Sequence, residues 1–242
     1  MDTIYIIVII SVLGPIIGSA IGVLKKTSTL YICNMLCFAA GVMLSISFLE
    51  LVPESIKMSS IWICALGIII GTAVMYTLDK TIPHIHPELC MPEQGTRLQR
   101  TAIYLILGIF LHNFPEGMAI AIGGVADEKV SITIALAIAI HNIPEGICTS
   151  SPYFNLTGKR LQAFLYSAST AVPLLIGFLL ARFFLTDISP NVLGVITGAT
   201  AGLMIYIAAD ELIPASCQEA QSHSTIFSLM AGVLFVILLM GI

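Results

Sequence analysis

Charge is scarce in this chain. Of its 242 residues only 10% are Asp, Glu, Lys or Arg, 57% are hydrophobic, and mean hydropathy reaches +1.01. A soluble domain carries roughly 25% charged residues, so a water-facing globule is excluded and an integral membrane protein is indicated. The formal charge of -4 says little, because charge here belongs to the loops. No GxxxxGK[ST] loop occurs, which removes ATP as a direct energy source within the chain. No CxxC occurs either: Cys33, Cys37, Cys64, Cys90, Cys148 and Cys217 are scattered, so thiols are expected rather than a disulfide framework. Cys33 and Cys37 stand four apart and read as packing residues, not a metal pair. No basic segment precedes the first apolar stretch, which is long enough to span and is expected to be a helix, not a cleaved signal.

What the chain does have is one hexapeptide written twice. His112-Asn113-Phe114-Pro115-Glu116-Gly117 returns 29 positions later as His141-Asn142-Ile143-Pro144-Glu145-Gly146, each copy inside an apolar run. His and Glu four apart share one helix face, while the Asn beside each His points about 100° away. Proline withholds an N–H, which leaves the Leu111 and Ile140 carbonyls without their usual partners. Ionisable groups cost roughly 2.5–3.5 kcal/mol each at mid-bilayer. Two such copies with no Lys or Arg between their His and Glu residues therefore call for protons or a cation. Imidazole with carboxylate suits zinc, ferrous iron, manganese, cobalt or cadmium. His112, Glu116, His141 and Glu145 are the main candidate ligands, with Asn113 and Asn142 serving at an angle.

Eight apolar spans are expected, at about 3–24, 31–53, 60–80, 100–125, 130–150, 161–184, 190–214 and 224–242, forming one transmembrane domain over 1–242. Gly14, Gly18 and Gly22 in the first, and Gly194, Gly198 and Gly202 in the seventh, form small-residue stripes for close helix approach. Those stripes also permit a homodimer. The segment Gly41–Pro53 parallels Gly202–Pro214 at one constant offset, with Gly, Met, Ile, Glu, Leu and Pro coinciding. Five spans lie in that offset, so the copies cross in opposite senses. The fold class expected is an all-α integral membrane protein of eight transmembrane helices in an inverted-repeat 3+2+3 arrangement, which places a site near mid-membrane. Glu50, Glu54, Asp210 and Glu211, near the ends of the two copies, read either as ordinary interfacial carboxylates or as a cation-attracting vestibule. Met43 offers a thioether, or core packing.

Seven basic residues (Lys25, Lys26, Lys80, Arg97, Arg100, Lys159, Arg160) fall on the side of the odd-numbered loops and three (Lys57, Lys129, Arg182) on the other. The first side is expected to be cytoplasmic and both termini extracytoplasmic. The 81–99 loop, on the cytoplasmic side, alternates His84, His86, Glu88 and Cys90, which reads as a flexible solvated loop or a weak metal relay. His223 stands alone and carries no role.

The two hexapeptides, the segments GVMLSISFLELVP and DELIP, and LDKTIPHIHPE (Leu78–Glu88) resemble the ZIP (Zrt-, Irt-like) family of divalent metal transporters, in its bacterial form. The likeness covers essentially the whole chain. It implies eight helices, zinc uptake into the cytoplasm through a site between the fourth and fifth, and an elevator-like motion. By motif match it implies metal ligation by His112, Asn113, Glu116, His141, Asn142, Glu145 and Met43. Bacterial relatives usually add a sixth-span Glu for a second metal; here the stretch reads Thr170-Ala171-Val172-Pro173-Leu174, and Val172 offers no oxygen. One well-formed site is expected. The expected activity is transport with no enzyme chemistry and no cofactor, the ion (Zn2+, and Fe2+, Mn2+, Co2+ or Cd2+) being substrate. The rival readings are an intramembrane metalloenzyme, against which the absence of HExxH counts, and a metal-gated sensor or channel. No nucleic-acid partner is expected, and the membrane is the inner one.

Overall fold

The computed structural model describes residues 3–81, 113–122, 128–184, 189–217 and 223–241. Among the described residues all regular structure is helical. In chain order the helices are α1 (Thr3–Gly22), α2 (Thr29–Ile46), α3 (Val52–Met58), α4 (Ile61–Thr81), α5 (113–122), α6 (Glu128–Thr157), α7 (Arg160–Ala168), α8 (Ala171–Phe184), α9 (Pro190–Ile207), α10 (Ile213–Cys217) and α11 (His223–Met240). Among the described residues, six helical segments are long and apolar enough to cross a bilayer: Thr29–Met58, Ile61–Leu78, Ile132–Thr157, Arg160–Phe184, Pro190–Leu212 and His223–Met240, and Ile6–Gly22 is a shorter apolar helix. Helices suit that solvent because they satisfy every mid-segment backbone group internally. Large apolar side chains such as Trp62, Phe183 and Phe227 point outward, as lipid contact requires.

Helix limits follow local chemistry. Ser28 caps α2, its hydroxyl accepting the Tyr31 N–H at 3.3 Å. α6 runs unbroken through Pro144 and Pro152 and ends seven residues beyond the expected limit of 150. Thr149 and Ser150 do not stop it, because their hydroxyls donate back to the Glu145 and Gly146 carbonyls at 2.9 and 2.7 Å. The stop is Gly158, at φ 68, whose N–H donates to the Phe154 carbonyl at 2.9 Å. The expected sixth span is instead two helices, broken at Ser169–Thr170. Pro173 has no N–H for the Ser169 carbonyl, which accepts the Val172 N–H at 3.0 Å in its place.

Two π-turns interrupt the expected second and seventh spans, at Ser47–Leu51 and Ala208–Leu212. They stand 161 positions apart, the same offset that relates Gly41 to Gly202. In each, the next residue's N–H (Val52, Ile213) returns to the carbonyl five back (Ser47, Ala208), and a proline follows (Pro53, Pro214). The widened turn absorbs the register that proline, lacking a donor, cannot keep.

Packing repeats the pattern. The Gly41 backbone lies against the Leu229 carbonyl and Gly202 against that of Ile68. Gly232 meets Phe38, and Gly71 meets Ala199. Each contact maps onto its partner at the same 161-position offset, so α11 sits on α2 as α4 sits on α9. Likewise Gly18 meets the Ile143 carbonyl as Gly177 meets that of Phe114, and Gly146 meets Pro15 as Gly117 meets Leu174. The helices thus fall into two groups. One holds α1, α5, α6, α7 and α8, the other α2, α3, α4, α9, α10 and α11, with α2 against α6 the broadest contact between them. The Gly14/Gly18/Gly22 stripe is occupied by α6, and Gly194 and Gly202 face Ser59 and Ile68. Those faces are used within the chain, so they are not where a homodimer would form.

Candidate metal centre

α5 carries the first hexapeptide from Asn113 on and α6 the second, and they turn Glu116 and His141 toward each other. Glu116, His141 and Asn142 are fully buried and Glu145 is 1% exposed. The pairing is between copies: His141 Nε2 stands 2.8 Å from Glu116 Oε1, and Asn142 Nδ2 donates to Glu116 Oε2 at 3.2 Å. Asn142 therefore does reach the shared interior, as its angle on the helix allowed. Glu145 Oε1 lies 3.9 Å from His141 Nε2 on the same helix.

His141 is held by its other nitrogen. Nδ1 is 3.0 Å from the Ala137 carbonyl, which can only accept, so Nδ1 carries the proton and Nε2 presents its lone pair to the two carboxylates. Ligand atoms of Glu116, His141 and Glu145 all lie within 4.8 Å of one another. Around a tetrahedral ion with ligand bonds of roughly 2.0–2.1 Å, donors sit roughly 3.3 Å apart. The observed 2.8 and 3.9 Å straddle that value, so the three side chains are spaced as donors that could hold an ion. Two carboxylates and a neutral imidazole match the charge of a divalent ion and the chemistry of zinc.

The amides add oxygens. Asn113, fully buried, donates through Nδ2 to the Thr170 carbonyl at 2.7 Å, tying α5 to the break between α7 and α8. Its Oδ1, and that of Asn142, are buried with no hydrogen-bond partner among the described residues. Buried carbonyl oxygens are seldom left so, and here each is an available donor to a cation.

The other candidates scatter. Met43 is fully buried in the apolar cluster that includes Ala137 and Ile138. Glu50 lies half-buried in the first π-turn, Asp210 exposed and Glu211 half-buried in the second. Glu54 pairs with Lys57 at 3.4 Å, an ordinary exposed ion pair. Val172 is 50% exposed on α8. His112, His84 and His86, with Glu88 and Cys90, lie outside the described residues.

Sequence reasoning missed the hydroxyls that frame this site. Ser19 Oγ lies 2.6 Å from Ser167 Oγ, Thr149 hydrogen-bonds Ser167 as well, and Ser167 donates to the Gly146 carbonyl at 3.1 Å. Together they join α1, α6 and α7. The signal was available in Thr149-Ser150-Ser151, three hydroxyls in a row starting three positions after the second hexapeptide.

A protein-family model described as ZIP Zinc transporter matches residues 2–99 and 86–240. The zinc transporter ZupT of Streptococcus mutans is 34% identical over 250 residues, covering 97% of this chain and 95% of that protein. That of Chlorobium luteolum is 36% identical over 238 residues, covering 89% and 88%. That of Escherichia coli O127:H6 is 34% identical over 235 residues, covering 94% and 91%.

Proposed function

Because the chain belongs to the ZIP zinc transporter family, we propose that it carries zinc across the inner membrane into the cytoplasm, through the site between α5 and α6. The observation that carries this reading is the contact between the two motif copies, Glu116 to His141 at 2.8 Å, in a fully buried setting. The relatives are named for transport, and neither the enzyme nor the sensor reading draws support from them. Ferrous iron, manganese, cobalt and cadmium fit the same donor set and extend the proposal beyond zinc.

The arrangement we propose is eight spans in a 3+2+3 inverted repeat, with residues 100–125 completing the fourth. Support comes from the π-turns and glycine contacts that recur at a fixed offset. The ligand set we propose is Glu116, His141 and Glu145 with His112 as fourth, the Asn113 and Asn142 oxygens beside them, and Met43 as a soft neighbour. Glu50, Asp210 and Glu211 serve as vestibule carboxylates, and the 81–99 loop receives the ion. Without a carboxylate at Val172, one tight equivalent is expected; calorimetry finding two would overturn that point. The transport reading is tested by counterflow of radiolabelled zinc in liposomes. Glu116→Ala and Glu145→Ala are each expected to abolish flux while the protein stays folded in the membrane; undiminished flux in either refutes the site.

A further inference from the structure

The linker between α1 and α2 is a covalent joint between the two helix groups, and three side chains hold it to the first of them. Ser151 Oγ donates to the Gly22 carbonyl at 3.1 Å, Arg160 Nη2 to that of Leu24 at 3.3 Å, and Asn155 Nδ2 to that of Thr27 at 3.2 Å. These bonds lay the linker against the turn that joins α6 to α7, which brings the Lys25-Lys26 pair to the side of Lys159-Arg160. All four residues are exposed. No Asp or Glu occurs from 3 to 49 or from 146 to 186, so neither stretch supplies a counter-charge. Two other cations are engaged locally: Lys57 pairs with Glu54 at 3.4 Å, and Lys80 lies 4.6 Å from the centre of the Tyr76 ring. Lys25, Lys26 and Lys159 make no ion pair among the described residues. Arg160 stacks 5.3 Å from the centre of the Phe154 ring, which steadies a guanidinium that has more N–H groups than its bond to Leu24 uses.

Depth in the bilayer says what this cluster meets. The apolar helix Ile6–Gly22 ends three positions before Lys25, one spanning segment ends at Thr157 and the next begins at Arg160. Leu24 and Leu161, beside the cations in sequence, are each 68% exposed. The charges therefore stand at the rim of the lipid-facing surface, at the level of the headgroups. We propose that this basic rim binds an anionic phospholipid, its phosphate against Lys25, Lys26, Lys159 and Arg160 and its acyl chains beside Leu24 and Leu161. An acidic protein would answer the charge but not the exposed leucines next to it. Bound there, the lipid fastens the joint between the helix groups to the α1 side. The inference requires only that the chain sit in a bilayer, and it stands apart from the passage of zinc.

The test titrates the full-length chain, in a neutral detergent, with phosphatidylglycerol or phosphatidylcholine and counts bound lipid by native mass spectrometry. Phosphatidylglycerol is expected to be retained more tightly than phosphatidylcholine. Its apparent affinity should fall roughly fivefold or more in the triple variant Lys25→Gln/Lys26→Gln/Lys159→Gln, whose changes leave the three bonds to the linker in place. The charge-keeping variant Lys25→Arg/Lys26→Arg/Lys159→Arg should bind as the parent does, and so should Lys57→Gln. Inorganic phosphate added in equal amount should not displace the lipid. Equal retention of the two lipids, undiminished affinity in the triple Gln variant, the same fall in Lys57→Gln, or displacement by inorganic phosphate each overturns the proposal.

Discussion

Glu116 takes both of its polar neighbours described above from the other copy of its motif, His141 Nε2 and Asn142 Nδ2. Under the proposed reading the ion would therefore be held jointly by the two copies, which gives the duplication a chemical use. Exchanging Glu116 for Gln keeps the shape but removes the charge that offsets the ion, so zinc affinity should fall by far more than for Asn142→Ala. The latter removes a hydrogen bond to a ligand together with an amide oxygen, which is expected to cost roughly 10–100-fold in affinity; equal losses in isothermal titration would contradict this ranking. Protons compete at the same atoms. Proton and cation are rivals for His141 Nε2 and the Glu116 carboxylate, which face each other at 2.8 Å. Uptake into proteoliposomes should weaken below about pH 6, and flat uptake from pH 5 to 7.5 counts against competition at this site. The ligand types and spacing were legible in the two hexapeptides, because charge inside an apolar run has few explanations. The Thr170 carbonyl and the Ser19–Ser167–Thr149 hydroxyls were not, because residues 57 or 148 positions apart carry no local sign of meeting.

At the level of the helix, the sequence set the apolar runs but not their interruptions. A hydropathy window sees Gly41–Pro53 and Gly202–Pro214 as plain spans; it does not see that Pro53 and Pro214 are each met by a π-turn. The sixth span likewise hid a break, because the cause is one missing N–H at Pro173 and not a change of polarity. The glycines were read as packing positions, and the close backbone contacts confirm why. At Gly71 an added Cβ would run into the Ala199 carbonyl, and at Gly232 into that of Phe38. Backbone cannot step aside as a flexible side chain can, so α4 and α9, or α11 and α2, must separate. Gly71→Ala and Gly232→Ala should each destabilise the folded chain by about 1–3 kcal/mol, read by thermal unfolding in detergent. Because the two contacts occupy matching places, their costs should be similar. A neutral outcome at either glycine removes that contact from the account of what binds the second group of helices together.

Across the whole molecule, two groups of helices meet chiefly where α2 touches α6, and the candidate ligands described on α5 and α6 lie within one group. Under the proposed transport reading, such a partition is expected to let the ion travel with one group while the other stays fixed, the motion that internal symmetry of opposite sense would provide for. That sense is the point to test. If the copies are five spans apart in order, with four between them, Lys57, after the second span, and Lys159, between the fifth and sixth, lie on opposite faces of the bilayer. Both residues are exposed. By the excess of basic residues, Lys159, with Lys25, Lys26 and Arg160, is expected to lie inside the cell. Arg160 reaches the Leu24 carbonyl at 3.3 Å, so the first and fifth loops do share one end of the bundle. In a cysteine-free background, Lys57→Cys should react with an impermeant maleimide added to intact cells, and Lys159→Cys only after permeabilisation. Reaction of both from outside would leave an even number of crossings between them, and the copies would then run in the same sense. The repeated π-turns would remain, but they could no longer serve opposite faces of one pathway.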